Sequence, residues 1–262
     1  MSDETTAAED RAEYYFEYRI LKDRPGLLGD IASMLGMIGF NILSLNGFSE
    51  TKRGFLLQAG SENQAEVLST IMKAMPDVEL TALRHPLLRD RIALRHGRFI
   101  EGREDETMTY RFVRDELGIL VDFLGELLKR PGRQIIGVRG QPRVGKSESI
   151  VAASVYANKR WIVVSSTLLK QTVLRQLPRN VSVSDVVYVV DGAVSAREGD
   201  EAHREVLDEV LRMPVPVVIE HPDVFVQSAR GRWSDFDCVL ELRREMGENI
   251  TGYWNELVND GF

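Results

Sequence analysis

The sequence predicts a two-domain protein of mixed class. Residues 12–86 read as an α+β domain of β-α-β-β-α-β order, and 133–262 as an α/β domain with a parallel five-stranded sheet flanked by helices. Three observations predict this. The first third alternates between short aromatic and β-branched runs and two apolar stripes at helical spacing. The second half carries five continuous Val/Ile-rich runs at regular intervals, which suit strands buried on both faces, with helical segments between them. The chain has 262 residues, 28% charged and 44% hydrophobic, so it is long enough for two cores and globular in composition.

Residues 1–11 are acidic and polar and are expected to form a disordered tail. "YYFEYRILK" (14–22) reads as the first strand. Pro25 and Gly26 turn the chain, and Leu27, Leu28, Ile31, Leu35 and Ile38 then recur as on a helix. "FNILSLNGFSET" and "RGFLLQAGS" follow as two strands. "ENQAEVLSTIMKAMP" is a second helix with Ser61 placed to cap it, and "DVELTALRH" is a fourth strand. This order suits a ferredoxin-like sandwich. Residues 87–132 read as a connector and a long helix. In that helix Val113, Leu117, Leu120, Leu124 and Leu127 form one stripe, which either covers the next sheet or forms a dimer seam. The five later runs are "QIIGVR", "WIVVSS", "DVVYVVD", "VPVVIEH" and "DCVLELRR".

The stretch from Asp23 through Pro25, Gly26, Leu27 and Leu28 to Gly39-Phe40-Asn41-Ile42 resembles the start of an ACT domain, a small regulatory module of amino-acid metabolism. The resemblance implies either an amino acid or other small effector bound at Asp23, Pro25, Gly26, Leu27 and Asn41, or a module that only oligomerises the chain. A glycine beside a helix start also suits a carboxylate on physical grounds.

"GQPRVGKS" (140–147) has the pattern G-x-x-x-x-G-K-[ST], between a strand and a helix. Glycines at 140 and 145 let backbone N–H groups turn toward a phosphate, and the following helix points its positive end there. Gly140, Arg143, Val144, Gly145, Lys146, Ser147 and Glu148 are the candidate nucleotide contacts. Lys146 suits the terminal phosphates, and Ser147 suits Mg2+. Asp191, 45 residues after Lys146, ends an apolar strand and is the second candidate metal ligand. Together these motifs resemble P-loop NTPases, with Walker A and Walker B elements, over about 133–246. The resemblance implies bound ATP or GTP with Mg2+.

The sequence departs from that family where a water-activating acid usually stands. Gly192 follows Asp191, and Ser165-Ser166 end the second strand. Glu220, ending the fourth strand, is the substitute candidate beside Lys146 for catalysis; its other reading is a polar strand terminus. Arg230 and Arg232 read as arginine fingers or as a solvated turn. Arg143 touches phosphate or faces water, Glu148 suits the helix dipole, and His221 before Pro222 reads as structural.

The expected function is a small-molecule-regulated, Mg-dependent ATPase or phosphotransferase. The alternative is a nucleotide sensor that does not hydrolyse and acts through a protein partner. Formal net charge is −7, which disfavours nucleic acid as a partner. One cysteine, Cys238, allows no intrachain disulfide, and the four His show no metal-ligand spacing. No signal peptide or membrane-length apolar run is visible, so a cytoplasmic protein is expected; the ACT-like resemblance and the seam reading of the 113–127 stripe imply a homo-oligomer.

Overall fold

Alternation along Glu13–Ile20 (β1) sets the layout of the first unit, Met1–Phe99. The computed structural model describes residues 12–61, 63–164, 185–193 and 201–250, with 201–203 described by backbone alone. The expected tail 1–11 and Ser165-Ser166 lie outside the described residues. Phe16 and Tyr18 share one face of β1 and Tyr15 and Glu17 the other, and all four are buried. A strand buried on both faces belongs inside a sheet. β1 accordingly runs between Lys52–Gln58 (β3) and Val78–Arg84 (β4), with Asn41–Gly47 (β2) beyond β3. Every pairing is antiparallel.

Leu27–Ile38 (α1) and Asn63–Ala74 (α2) bring Leu27, Ile31, Leu35, Leu68 and Met72 to the Phe16 side. Leu88–His96 (α3) packs on β2 and β3, and Asn46 Nδ2 donates to the Leu94 carbonyl at 2.9 Å. Glu17 is buried yet fully answered. Tyr15 donates to it at 2.6 Å and Thr81 at 2.7 Å, and Lys52 Nζ lies 3.0 Å away.

The second unit, Ile100–Phe262, is organised by strands that are apolar over most of their length. Gln134–Gly140 (β7), Val186–Asp191 (β9), Pro216–Glu220 (β10) and Cys238–Arg243 (β11) are buried nearly throughout. With Glu101–Glu104 (β5), Met108–Val113 (β6) and Arg160–Val164 (β8), they form a sheet in the order β5-β6-β11-β7-β10-β9-β8. Pairing is parallel except between β5 and β6. Continuous apolar strands need cover on both faces. Leu117–Lys129 (α4) and Lys146–Tyr156 (α5) pack together on one. Glu201–Arg212 (α6) and Pro222–Gln227 (α7) close the other, over Ile135, Tyr188, Val217, Ile219 and Val239.

The fold class expected from the sequence does not stand. In place of a ferredoxin-like domain followed by a five-stranded parallel sheet, a four-stranded antiparallel sheet with three helices is followed by a mixed sheet. That sheet has seven strands among the described residues. The extra strands, β5 and β6, come from the segment read as connector and helix. Val113 ends β6, so the helical stripe starts only at Leu117. Leu120, Leu124 and Leu127 are buried within the unit, where α4 covers the sheet and packs on α5. The division between units falls after Phe99, so α3 goes with the first unit and α4 with the second. Among the described residues no helix is long and apolar enough to cross a membrane.

Leu240 is fully buried in β11, between β6 and β7. Leu240→Ala is expected to cost about 2–5 kcal/mol in chemical denaturation. A cost near zero would contradict this packing.

Candidate functional site

Parallel strands that end together create an edge where loops and helix N-termini converge. Here the register sets Val138 beside Glu220, and Glu220 beside Asp191, across β7, β10 and β9. The loop 141–145 leaves β7 two residues beyond Val138 and enters α5 at Lys146. Gly145 stands at φ 112°, a left-handed conformation that a side chain would strain. Gly140 is required by close approach, since a Cβ there would sit 2.2 Å from the Leu242 carbonyl oxygen.

Lys146 is the residue that gives the loop its character. It is 6% exposed, and its ammonium donates to the carbonyls of Gly140 at 2.9 Å and Gln141 at 2.8 Å. No carboxylate among the described residues lies within ion-pair distance of it. Burial pulls its pKa down, against the opposing fields of Glu220, Glu148 and Asp191. An ammonium has three donors, so one is left over. The backbone N–H groups of Arg143, Val144, Gly145, Lys146 and Ser147 find no acceptor among the described residues. The loop is therefore a run of unpaired amides around a buried cation.

The acidic side lies on β9 and β10. Ser147 Oγ donates to Glu220 Oε2 at 3.1 Å. Burial pushes the Glu220 pKa up; Asp191 and Glu148 add to the rise, while Ser147 and Lys146 oppose it. Asp191 Oδ1 accepts from the Ala193 amide at 2.9 Å. Gly192 has a packing reason. A Cβ there would meet the carbonyl oxygens of Glu220 and His221 at 2.6 and 2.7 Å. The position after Asp191 thus has no room for a side chain, and the second carboxylate at this edge, beside Asp191, is that of Glu220.

His221 turns the chain from β10 into α7 at φ 56° and ψ 53°, unusual for a side-chain-bearing residue. Burial first, then Lys146, lowers its pKa to about 4, so it is neutral near pH 7. Beneath the loop, Arg139, Arg111 and Arg243 all donate to the buried Glu241, at 2.8, 3.1 and 2.6 Å. Burial acts to raise the Glu241 pKa, but Arg139 and Arg243 outweigh it and the net shift is downward. These ties brace β6, β11 and β7 just before the loop begins.

The structure thus brings together Gly140, Arg143, Val144, Gly145, Lys146, Ser147, Glu148, Asp191 and Glu220. Val144 is fully buried, so only its backbone faces outward, whereas Arg143 and Glu148 are exposed. Arg230 lines a cleft with Arg133 and Ile135, at the amino end of β7. That places it away from the loop, which follows the carboxyl end. Sequence reasoning missed His221's conformation and the Arg139–Glu241 network. The only available signals were His-Pro before a helix and charged residues inside apolar strands.

In the first unit the expected effector residues are not assembled. Asn41 pairs with Gln58, level with Glu13 at the start of β1. Asp23, Pro25 and Gly26 follow the other end of β1, roughly 20 Å away at strand rise. Leu27 is buried in the core. The start of α1 already carries Asp30, paired with Arg24 at 2.7 Å.

Residues 80–260 match the family described as a protein of unknown function, DUF3388. The chain belongs to this family. It is 51% identical over 241 residues to "Uncharacterized protein YmfK" of Bacillus subtilis strain 168, covering 92% of this chain and 90% of that one. Among solved structures, the phospho-2-dehydro-3-deoxyheptonate aldolase (DAHP synthase) of Thermotoga maritima aligns at 11% identity. It has a TM-score of 0.22 and covers 88% of this chain and 69% of that one, a likeness too slight to bear on the fold. The resemblances to ACT domains and to P-loop NTPases are overturned by these findings. The matching family is DUF3388, and its match begins inside β4, near the end of the first unit, and runs through nearly all of the second.

Two pH effects follow. Glu220 has a raised pKa when folded, so its ionisation costs stability as pH rises from the ordinary carboxylate range through the folded value. Glu220→Gln is expected to raise the unfolding midpoint at pH 7, with the gain vanishing below about pH 4. His221 behaves oppositely. Its folded pKa of about 4 lies below the ordinary 6.5, so the protein loses stability as pH falls between those values. His221→Asn, which tolerates the left-handed conformation, is expected to remove up to about 3 kcal/mol of that acid sensitivity. Denaturation midpoints across pH 4–8 check both; unchanged profiles would contradict them.

Proposed function

We propose that the second unit binds the phosphate tail of a nucleoside triphosphate, ATP or GTP with Mg2+, at the loop 140–147, and transfers or hydrolyses its terminal phosphoryl group. The observation that carries this is the run of unpaired amides from Arg143 to Ser147 around the buried Lys146. A buried cation and a row of amides that find neither counter-charge nor acceptor among the described residues are both stabilised by the same thing, an anion with several oxygens. A phosphate chain is such an anion.

The donor set also fits a magnesium ion carried in with the nucleotide. Ser147 Oγ and Asp191 would hold it. Among the described residues no three His, Cys, Asp or Glu are arranged to bind a metal by themselves, so phosphate oxygens and water would complete its shell. When bound, the ion supplies neutralisation of phosphate charge. Lys146 would hold the terminal phosphate with its remaining donor. Glu220, once parted from Ser147, would accept the proton of the attacking water or hydroxyl, a role that its raised pKa suits.

A second reading, a nucleotide sensor without turnover, is favoured by the Ser147–Glu220 hydrogen bond itself, which engages the only acid proposed as base. The first unit takes no part in this function, because Asn41 and the loop 23–26 lie at opposite ends of their sheet.

Mg-ATP or Mg-GTP at a hundredfold excess over Kd is expected to stabilise the protein by about 2.7 kcal/mol. Lys146→Ala should abolish that gain. Phosphate release by the wild type that is lost in Glu220→Gln would support the enzyme; tight binding without release would support the sensor. No stabilisation by either nucleotide or by pyrophosphate would overturn the proposal.

A further inference from the structure

Two arginines reach the same short stretch of the loop from different elements. Arg114, just after β6, donates from Nη1 to the carbonyl of Arg143 at 3.2 Å. Arg244, just after β11, donates from Nη2 to the carbonyl of Pro142 at 3.3 Å. Both side chains belong to exposed residues, and each spends one donor on the loop.

A trans peptide unit is planar, and its N–H points opposite to its C=O. Fixing the Pro142 carbonyl therefore fixes the N–H of Arg143, and fixing the Arg143 carbonyl fixes the N–H of Val144. Both amides are turned away from the guanidiniums, and both belong to the unpaired run. From the other side, Lys146 holds the carbonyls of Gly140 and Gln141. Four consecutive carbonyls, from Gly140 to Arg143, are thus each held by a cationic side chain. Arg143 itself stands at φ 61°, a conformation costly for arginine that persists only where its surroundings impose it.

We propose that Arg114 and Arg244 are positioning residues of the anion site. By holding the carbonyls of Arg143 and Pro142 they preset the amides of Val144 and Arg143 for a phosphate, before any ligand arrives. The inference rests on the phosphate-binding reading above and adds a device to it. Binding to a preset loop avoids the ordering cost that a mobile loop would incur. The elements that bear the two arginines, β6 and β11, are neighbours in the sheet and are tied together through Glu241, so the brace is itself rigid.

The test uses the full chain, inorganic pyrophosphate as probe, and the variants Arg114→Met, Arg244→Met and their double. Losing both charge-assisted bonds is expected to weaken pyrophosphate binding at least about tenfold. In the ligand-free double variant the amide resonances of Arg143 and Val144 should shift, while those of the sheet stay in place. Arg114→Lys with Arg244→Lys, which keeps a donor at each place, should restore most of the affinity. The amide resonances separate positioning from direct contact, because a brace that is lost moves them and a lost ligand does not. Weakened affinity with unmoved amide resonances would overturn the proposal and make the arginines anion ligands instead. Undiminished affinity in the double variant would overturn it alone, while failure of the wild type to bind pyrophosphate would take down the phosphate reading as well.

Discussion

A lysine ammonium held out of water, with no carboxylate among the described residues against it, is the constraint around which the second unit is arranged. Lys146 is kept charged only by two carbonyls of its own loop and by the weaker fields of three acids. Carbonyl dipoles compensate burial of a full charge incompletely, and the lowered pKa records the deficit. The surrounding structure exists to maintain that situation. Gly140 lets the loop pass against the Leu242 carbonyl, Gly145 turns it into α5, and α5 places its own unpaired amides at the same point.

Charge around this point is sorted by strand. Arg111, Arg139 and Arg243 lie on β6, β7 and β11, joined through Glu241. Asp191 and Glu220 end β9 and β10 on the other side. Such sorting gives the edge a direction. Amides and cations gather at the loop, and the two acids stand across from them at the ends of β9 and β10, the division on which the proposed phosphate and metal roles rest. Gly192 explains why only one acid fits at the end of β10's neighbour, since the two strand ends press together there. The αL conformation of His221 is part of the same closure, turning β10 directly into α7.

The loop itself was legible because its chemistry is local. Two glycines, a lysine and a serine at fixed spacing between a strand and a helix specify backbone geometry within eight residues. Asp191 and Glu220 were legible because they end apolar runs. The rest depends on contacts that spacing does not encode. Strand β5 is four mostly charged residues, and β6 runs into α4 so that Val113 and Leu117 mimic one helical stripe. Arg114 and Arg244 meet the loop from 29 and 102 residues away. In the first unit, Gly26 and Asn41 are close in sequence but separated by the length of α1, about 18 Å at helical rise. The family likeness drawn from short motifs failed for a related reason: a few residues around a turn report local geometry, whereas the DUF3388 match runs over 80–260.

Lys146 is a buried cation, and the proposed phosphate site depends on it. The most direct measurement is its own titration, by NMR of lysine-labelled protein assigned with Lys146→Arg, with and without pyrophosphate. A pKa below the ordinary lysine value is expected in the ligand-free protein, with a rise when pyrophosphate binds. An ordinary pKa that pyrophosphate leaves unchanged would contradict it.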